Sequence, residues 1–305
     1  MSEPRAQPRL YTIPPSAPFL TTLARAILAG DLPTPGGMKP DRLSLPHTTI
    51  YLPTRRAART LREAFLEESG GEALLLPRIL ALGHADEDEA LILNAERFDD
   101  TDTNLGKPAI EPTARLIALM RMILAWSRGA GVAGPVGLQG RLPMTPAQAA
   151  GLAADLASLM DAADSEEADL STLDTLVPKE LAAHWAETVA FLTILTEQWP
   201  NFLHEVGLVS PVGRRNALMA QETKRLAAGS PHPVIAAGST GTVPATARLL
   251  QTIAQRSNGA VVLPGLDLTL DAESWETLGR HPEHPQAGMA ELLKKLGATR
   301  DDVMS

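Results

Sequence analysis

The stretch 232-HPVIAAGSTGTVPATARLL-250 decides the fold, because it has the pattern of a buried strand, a tight polar turn and a helix. Val234–Ala237 form an apolar run bounded by a proline and Gly238, which is typical of a central parallel strand. Gly238 and Gly241 suit a tight turn, and Thr242 is a candidate N-cap for the helix that follows. The stretch therefore favours an α/β fold with a parallel sheet.

The turn Gly238–Thr242 is the first candidate site. Turns at the carboxyl edge of a parallel sheet point backbone N–H groups at a ligand, and phosphate suits such donors. An ordinary strand-to-helix turn that binds nothing is the other interpretation. If the turn binds a small phosphorylated ligand in an enzyme, a general base or nucleophile is needed nearby. The sequence offers only Asp267 there, and this residue is more typical of a turn cap.

Composition limits the class of protein. The chain has 305 residues, 44% hydrophobic and 21% charged, which predicts one large or two modest globular domains. It contains no cysteine, which excludes disulfides, zinc–thiolate sites and iron–sulfur clusters within this chain. No apolar run of about 18 residues occurs, and the N-terminus lacks a signal-peptide core. We therefore expect a soluble, cytoplasmic protein without a membrane partner.

Charge is unevenly distributed along the chain. The net charge is −9, yet residues 1–62 contain nine Arg or Lys against three Asp or Glu, a net of +6. The remaining residues therefore sum to −15. A local basic face on an acidic protein is what a bound polyanion requires, since salt screens distant charges.

The first strand and helix resemble the start of a nucleotide-binding fold without its phosphate loop. Leu10–Ile13 form an apolar run, and apolar residues then recur at helical spacing from Phe19 to Gly30. A phosphate loop between them needs G-x-x-x-x-G-K-[ST], whereas the loop here is 14-PPSAP-18. Since it lacks both glycine and lysine, we expect no ATP binding.

The second strand, predicted at 48–52, leads into a basic helix that begins at Arg55 and ends near Glu68. Arg55 and Arg56 occupy its first turn, where they oppose the helix dipole unless an anion binds there. Arg55, Arg59 and Arg62 share one stripe of the helix. The alternative is a solvated arginine face paired with acids of the same helix.

The remaining pattern predicts three more strands and a helical block. Strands are expected at 73–76, 233–237 and 259–263, with the strand at 233–237 near the sheet centre. Residues 113–228 have successive helical patterns, including a capping box at Thr145 and Gln148 and a long helix that ends at Pro200. The acidic run Asp86–Glu89 fits the first turn of a helix better than a metal site. A last helix ends at Leu296, and no closing element is expected after it.

Several segments together resemble a known family. The segment 51-YLPTRRAARTLREAF-65 resembles the motif that follows Walker A in superfamily 1 helicases, where the threonine and nearby backbone hold single-stranded DNA. The segments 233-PVIAAGSTGTVPATARLL-250, 259-GAVVLPGLD-267 and 211-PVGRRNAL-218 are similar to the AddB family of the alphaproteobacterial type. AddB is a subunit of the ATP-dependent AddAB helicase–nuclease, which resects double-strand DNA breaks.

This resemblance implies an organisation and a set of contacts. Residues 1–110 and 229–305 would form a degenerate RecA-like domain of the P-loop superfamily 1 helicase type, and 111–228 a helical insertion. AddB proteins are longer, so we expect this chain to be an N-terminal segment. Their iron–sulfur cluster and nuclease metal belong to a C-terminal domain that is not in this sequence, so no cofactor is expected here.

The same resemblance makes the chain a non-hydrolysing scaffold that contacts DNA ends and single-stranded DNA beside an AddA-like helicase–nuclease subunit. Whether this chain has enzymatic activity of its own stays open. The residues expected to contact DNA are Thr54, Arg55, Arg56, Arg59, Ser239, Thr240 and Thr242.

Overall fold

A computed structural model describes residues 8–35, 40–41, 43–82, 106–128, 144–170 and 191–305. The chain divides into two compact units, Met1–Arg97 with Leu218–Ser305, and Phe98–Ala217. The domain boundaries expected from the sequence, after residues 110 and 228, stay a prediction. The acidic run Asp86–Glu89 lies outside the described residues.

The described residues form helices and strands that alternate in the first unit. In chain order, the elements are β1 (Leu10–Ile13), α1 (Phe19–Ala29), β2 (Thr49–Leu52), α2 (Arg55–Glu68), β3 (Arg78–Ala81), α3 (Pro112–Ser127), α4 (Pro146–Glu166), α5 (Trp199–Val206), α6 (Pro211–Ala227), β4 (Val234–Ala237), α7 (Pro244–Ala254), β5 (Gly259–Pro264), α8 (Ala272–Thr277), α9 (Ala287–Leu296) and β6 (Val303–Met304). Within the described parts of the chain, no helix is both long and apolar enough to cross a membrane.

The strands of the first unit make one sheet. Its order across the described residues is β3-β2-β4-β5-β1-β6, and every neighbouring pair is parallel. Strand β4 pairs with β2 on one side and β5 on the other, which confirms its predicted place near the sheet centre. The chain therefore has an α/β fold, as the sequence predicts.

Helices cover both faces of this sheet. Helices α1 and α2 pack on one face, and α7, α9 and the last part of α6 pack on the other. Strand β4 serves both cores, because Ile235 and Ala237 face α1 and α2 while Val234 and Ala236 face α7 and α9. Both faces of β4 are buried, which explains why this strand is uniformly apolar.

Two predictions about the sheet are wrong. The third strand runs over Arg78–Ala81 instead of 73–76. Pro77 has no N–H to donate, so pairing begins only at Arg78, whose N–H bonds the Thr48 carbonyl at 2.9 Å. A closing strand is also present, since β6 pairs with β1 after the last helix. Two residues are too few to produce a period-2 pattern in the sequence.

The second unit is built from helices around its own apolar core. Helix α4 begins with the predicted capping box, in which Thr145 and Gln148 satisfy each other's backbone N–H groups. The core contains Ile110, Leu119, Ile123, Ala149, Ala153, Leu156, Met160, Ile194, Leu195 and Trp199.

Pro200 does not end the preceding helix, contrary to the prediction. A π-helical segment at Ile194–Gln198 runs directly into α5, and Pro200 lies in the first turn of α5. The wider turn gives the Trp199 N–H a partner in the Ile194 carbonyl. A proline is tolerated at this point because a first-turn residue needs no helical donor.

Candidate nucleic-acid interface

The carboxyl edge of the sheet collects four helix N-termini. Helices α1, α2 and α7 begin directly after β1, β2 and β4. The start of α9 is brought to the same edge, because Gly288 lies against Thr240 and Thr242 of the turn after β4. None of these four helices has an acidic residue in its first turn. Their partial positive charges are therefore not offset locally, which favours an anion at this edge.

The junction between β2 and β4 is a topological switch point. These strands are neighbours, with Tyr51 in register with Ala236, but the helix after β2 packs on one face and the helix after β4 on the other. A crevice opens between loops that diverge in this way, and ligands of open α/β sheets bind in such crevices. The loops at this junction are Pro53–Thr54 and Gly238–Thr242, and we call the surface that they share the crevice. A Cβ on Gly238 would lie 3.6 Å from Pro53 Cδ, so the two loops touch.

The first turn of α2 presents donors and charge. Thr54 is the N-cap, and its Oγ1 accepts a hydrogen bond from the Ala57 N–H at 3.1 Å. The N–H group of Arg56 precedes the first helical bond, from Ala58 to the Thr54 carbonyl, and has no partner within the helix. The side chains of Arg55, Arg56 and Arg59 are exposed. The helix therefore begins where the sequence predicts, and it offers an amide donor beside guanidinium groups.

The arginine stripe of α2 is divided between two roles. Arg62 donates from Nη2 to the Ile79 carbonyl at 3.2 Å, which fastens the helix to β3. Within the described part of the chain, neither Arg56 nor Arg59 makes an ion pair. Arg25, another member of the basic segment, binds Glu68 through two 2.9 Å hydrogen bonds. Of the predicted basic face, the end of α2 nearest the crevice is therefore the part that suits an external anion.

The turn Gly238–Thr242 has the tight backbone that its glycines predict. Gly238 has φ +75° and Gly241 has φ +60°. The Gly238 N–H bonds the Val262 carbonyl at 3.0 Å, and the Gly241 N–H bonds Ser239 Oγ at 3.3 Å. Two of the five amides are thus used within the protein, so the turn is not an open phosphate cradle. It contributes instead the partly exposed Ser239 and Thr240 and the exposed Thr242.

Thr242 does not cap α7, which corrects the prediction. Pro244 is the first helical residue, so Val243 takes the N-cap position and makes no side-chain cap hydrogen bond. The Thr242 hydroxyl is therefore not engaged as a cap and lies at the surface of the crevice.

The loop after β1 is poor in donors. Three of its five residues are prolines, which have no N–H. The Ala17 N–H bonds the Pro14 carbonyl at 3.0 Å, which leaves Ser16 with the only uncommitted backbone amide in the loop. A triphosphate needs several converging amides and a lysine, and this loop supplies neither.

Asp267 is held as a turn cap, as the sequence predicts. Its Oδ1 accepts hydrogen bonds from the Thr269 N–H and hydroxyl, both at 2.7 Å, and from the Leu270 N–H at 3.2 Å. The hydrogen bonds from Thr269 lower the pKa of Asp267, and the nearby Arg300 acts in the same direction. A carboxylate stabilised in its charged form is a poor general base at neutral pH.

Sequence reasoning missed a buried polar group behind the interface. The Tyr51 hydroxyl, on β2, donates to the Glu222 carboxylate on α6, and Arg225 Nε binds the same carboxylate at 2.7 Å. Burial, with the charge of Glu222, raises the pKa of Tyr51 well above its ordinary value. The group fixes β2 to α6 three residues before Thr54. Only the helical spacing of Glu222 and Arg225 is visible in the sequence, and nothing there connects them to Tyr51.

Comparison of the sequence with known proteins does not identify a family for this chain. No protein-family model matches the sequence, and no curated protein matches it significantly. The similarity to the AddB family therefore stays a prediction that depends on the motifs at 51–65, 211–218, 233–250 and 259–267.

Proposed function

We propose that this chain is a non-hydrolysing, DNA-contacting scaffold of the AddB type, and that it holds the phosphate backbone of a single strand at the carboxyl edge of its sheet. The observation that carries the proposal is the meeting of the α2 N-terminus and the Gly238–Thr242 turn at the switch point between β2 and β4. Both flank one crevice, and both present donors to it.

The chemistry of this edge suits a chain of phosphates better than one compact ligand. Its donors are spread along the start of α2 and the turn: the amide of Arg56, the side chains of Arg55, Arg56 and Arg59, and the hydroxyls of the turn. Two turn amides are already bonded within the protein, which leaves no enclosed cradle for a single phosphate group. Contacts to successive phosphates position a strand without reading its bases.

The motifs extend the proposal to a larger assembly. We infer that the sheet is a degenerate RecA-like domain whose donor-poor PPSAP loop has lost ATP binding. In this proposal the chain works in the cytoplasm beside an AddA-like motor subunit and contributes to the resection of double-strand breaks. The chain itself needs no cofactor for this role, because its contribution is to hold and guide the strand.

A salt titration of DNA binding tests the proposal. The assay is fluorescence anisotropy with a short labelled single strand at several salt concentrations. Each phosphate neutralised on a single strand contributes a slope of about −0.7 to log K against log salt. Replacing Arg55 and Arg56 with Ala removes two cations, so we expect the slope to become shallower by roughly one to two units. Affinity should fall for all sequences alike.

Lys294 and Lys295 provide the matched control. Both are exposed and lie in the last turn of α9. The N-terminus of α9 is at the carboxyl edge of the sheet, so these lysines lie at the far end of the helix from that edge. Changing both to Ala alters the net charge by the same two units but should leave the salt slope unchanged. Equal slopes for wild type and the arginine variant, or an equal effect of the lysine variant, would contradict the proposed site.

A further inference from the structure

Two histidines meet at the amino-terminal edge of the sheet, away from the crevice. His47 ends the 3₁₀ turn Leu45–His47 before β2, and His232 precedes β4. The register that joins Thr49 to Val234 places the two histidines side by side. Their rings are 5.0 Å apart, centre to centre, and their planes differ by 13°.

The backbone holds both residues in place. The His47 N–H bonds the Ser44 carbonyl at 3.1 Å, and the His232 carbonyl accepts from Asn258 Nδ2 at 2.9 Å. The His232 N–H also bonds Ser230 Oγ at 3.3 Å. Both side chains are exposed, so solvent and ions reach the rings and the rings are free to turn on a fixed backbone.

We propose that His47 and His232 together bind one divalent transition-metal ion of the class that prefers imidazole, such as Zn²⁺ or Ni²⁺. With metal–nitrogen bonds of about 2.0–2.1 Å and a near-tetrahedral angle, two imidazoles on one ion have ring centres about 4.5–5.5 Å apart. The observed 5.0 Å falls in this range. The stacked ring planes are nearly parallel, and the nitrogen lone pairs lie in those planes, so they do not converge on one ion. Binding therefore requires rotation about the Cβ–Cγ bonds.

The site has two protein ligands, and water completes the coordination. No group of three or more His, Cys, Asp or Glu within the described residues is arranged to hold a metal ion. A bound ion would join the amino ends of β2 and β4, the two strands whose carboxyl ends form the crevice. This inference does not depend on DNA binding, because it concerns the other edge of the sheet.

Isothermal titration of the full chain with Ni²⁺, repeated with Zn²⁺, tests the inference. The variants are His47→Asn, His232→Asn and the double variant, and circular dichroism checks that each is folded. We expect each single substitution to weaken one stoichiometric site at least tenfold. The double variant should be no weaker than either single one, because one remaining imidazole cannot chelate.

His281→Asn is the control, since His281 is also exposed and lies three residues from His284. It should leave the site intact. Unchanged metal affinity in both His47→Asn and His232→Asn would overturn the inference. Loss of the site in His281→Asn, or additive losses in the double variant, would also overturn it, since either result assigns the ion to other ligands.

Discussion

Replacing Gly241 with Ala tests how the turn beside the crevice is built. Gly241 has φ +60°, and a Cβ there would lie 2.6 Å from Leu292 Cδ1 and 3.2 Å from Leu250 Cδ1. Both leucines are buried, so moving either Cδ1 away from the new Cβ disturbs the packing of the core around it. The left-handed backbone costs about 1–2 kcal/mol for a residue with a Cβ, and overpacking costs about 1–3 kcal/mol. Reduced freedom of the unfolded chain offsets about 0.4–1 kcal/mol. We therefore expect a loss of about 2–4 kcal/mol in the free energy of unfolding.

Gly297 separates the two contributions, because its φ is +68° but nothing lies within 4 Å of a Cβ built on it. Gly297→Ala should cost only the backbone part, about 1 kcal/mol. The measurement is urea unfolding followed by circular dichroism. Adding Leu292→Ala to Gly241→Ala should cost less than the sum of the single changes, since the two positions share one space. Equal losses for Gly241→Ala and Gly297→Ala, within about 0.5 kcal/mol, would refute the packing argument.

Three further predictions follow from buried groups and from the first loop. Asp161→Ala should lower the free energy of unfolding in urea by about 1–3 kcal/mol, because it leaves the buried Arg115 guanidinium without its 2.7 Å partner. Arg115→Met should cost less, and a larger loss for Arg115→Met would contradict this reasoning. Above pH about 10 the Tyr51 phenol loses its proton in the unfolded chain but keeps it in the folded protein, so the free energy of unfolding should fall as pH rises. Tyr51→Phe should make this fall less steep when the free energy of unfolding is measured at several pH values. An equally steep fall in the variant would count against the buried phenol. Phosphate release from ATP should be absent even with DNA present, and turnover that disappears in Ser16→Ala would show that the first loop binds nucleotide after all.

Local pattern alone predicts four of the six strands described in the sheet. Each of β1, β2, β4 and β5 is an apolar run bounded by turn residues, and the strands lie where these runs occur. The sequence also predicts the start of α2 at Arg55 and the capping box at Thr145, because both depend on residues that are close together in the chain.

The errors fall where local pattern is weak or where one position decides the outcome. Strand β3 begins later than the apolar run at 73–76 predicts, because Pro77 follows that run and pairing with β2 begins only after it. The residue type of Thr242 predicts a cap, whereas Pro244 fixes the helix start one residue later. In both cases a single proline decides the boundary, through its missing N–H and fixed φ.

The sequence by itself determined an α/β chain with a basic start to α2 and a glycine turn after β4. Only the tertiary structure decided that these two features share one crevice, because β2 and β4 are far apart in the chain and become neighbours through strand pairing. The same pairing brings His47 beside His232 and Tyr51 beneath α6. Periodicity reports which face of an element is buried, but it carries no information about which distant element covers that face. The candidate interface is therefore a product of strand order, while its chemistry is a product of the residues.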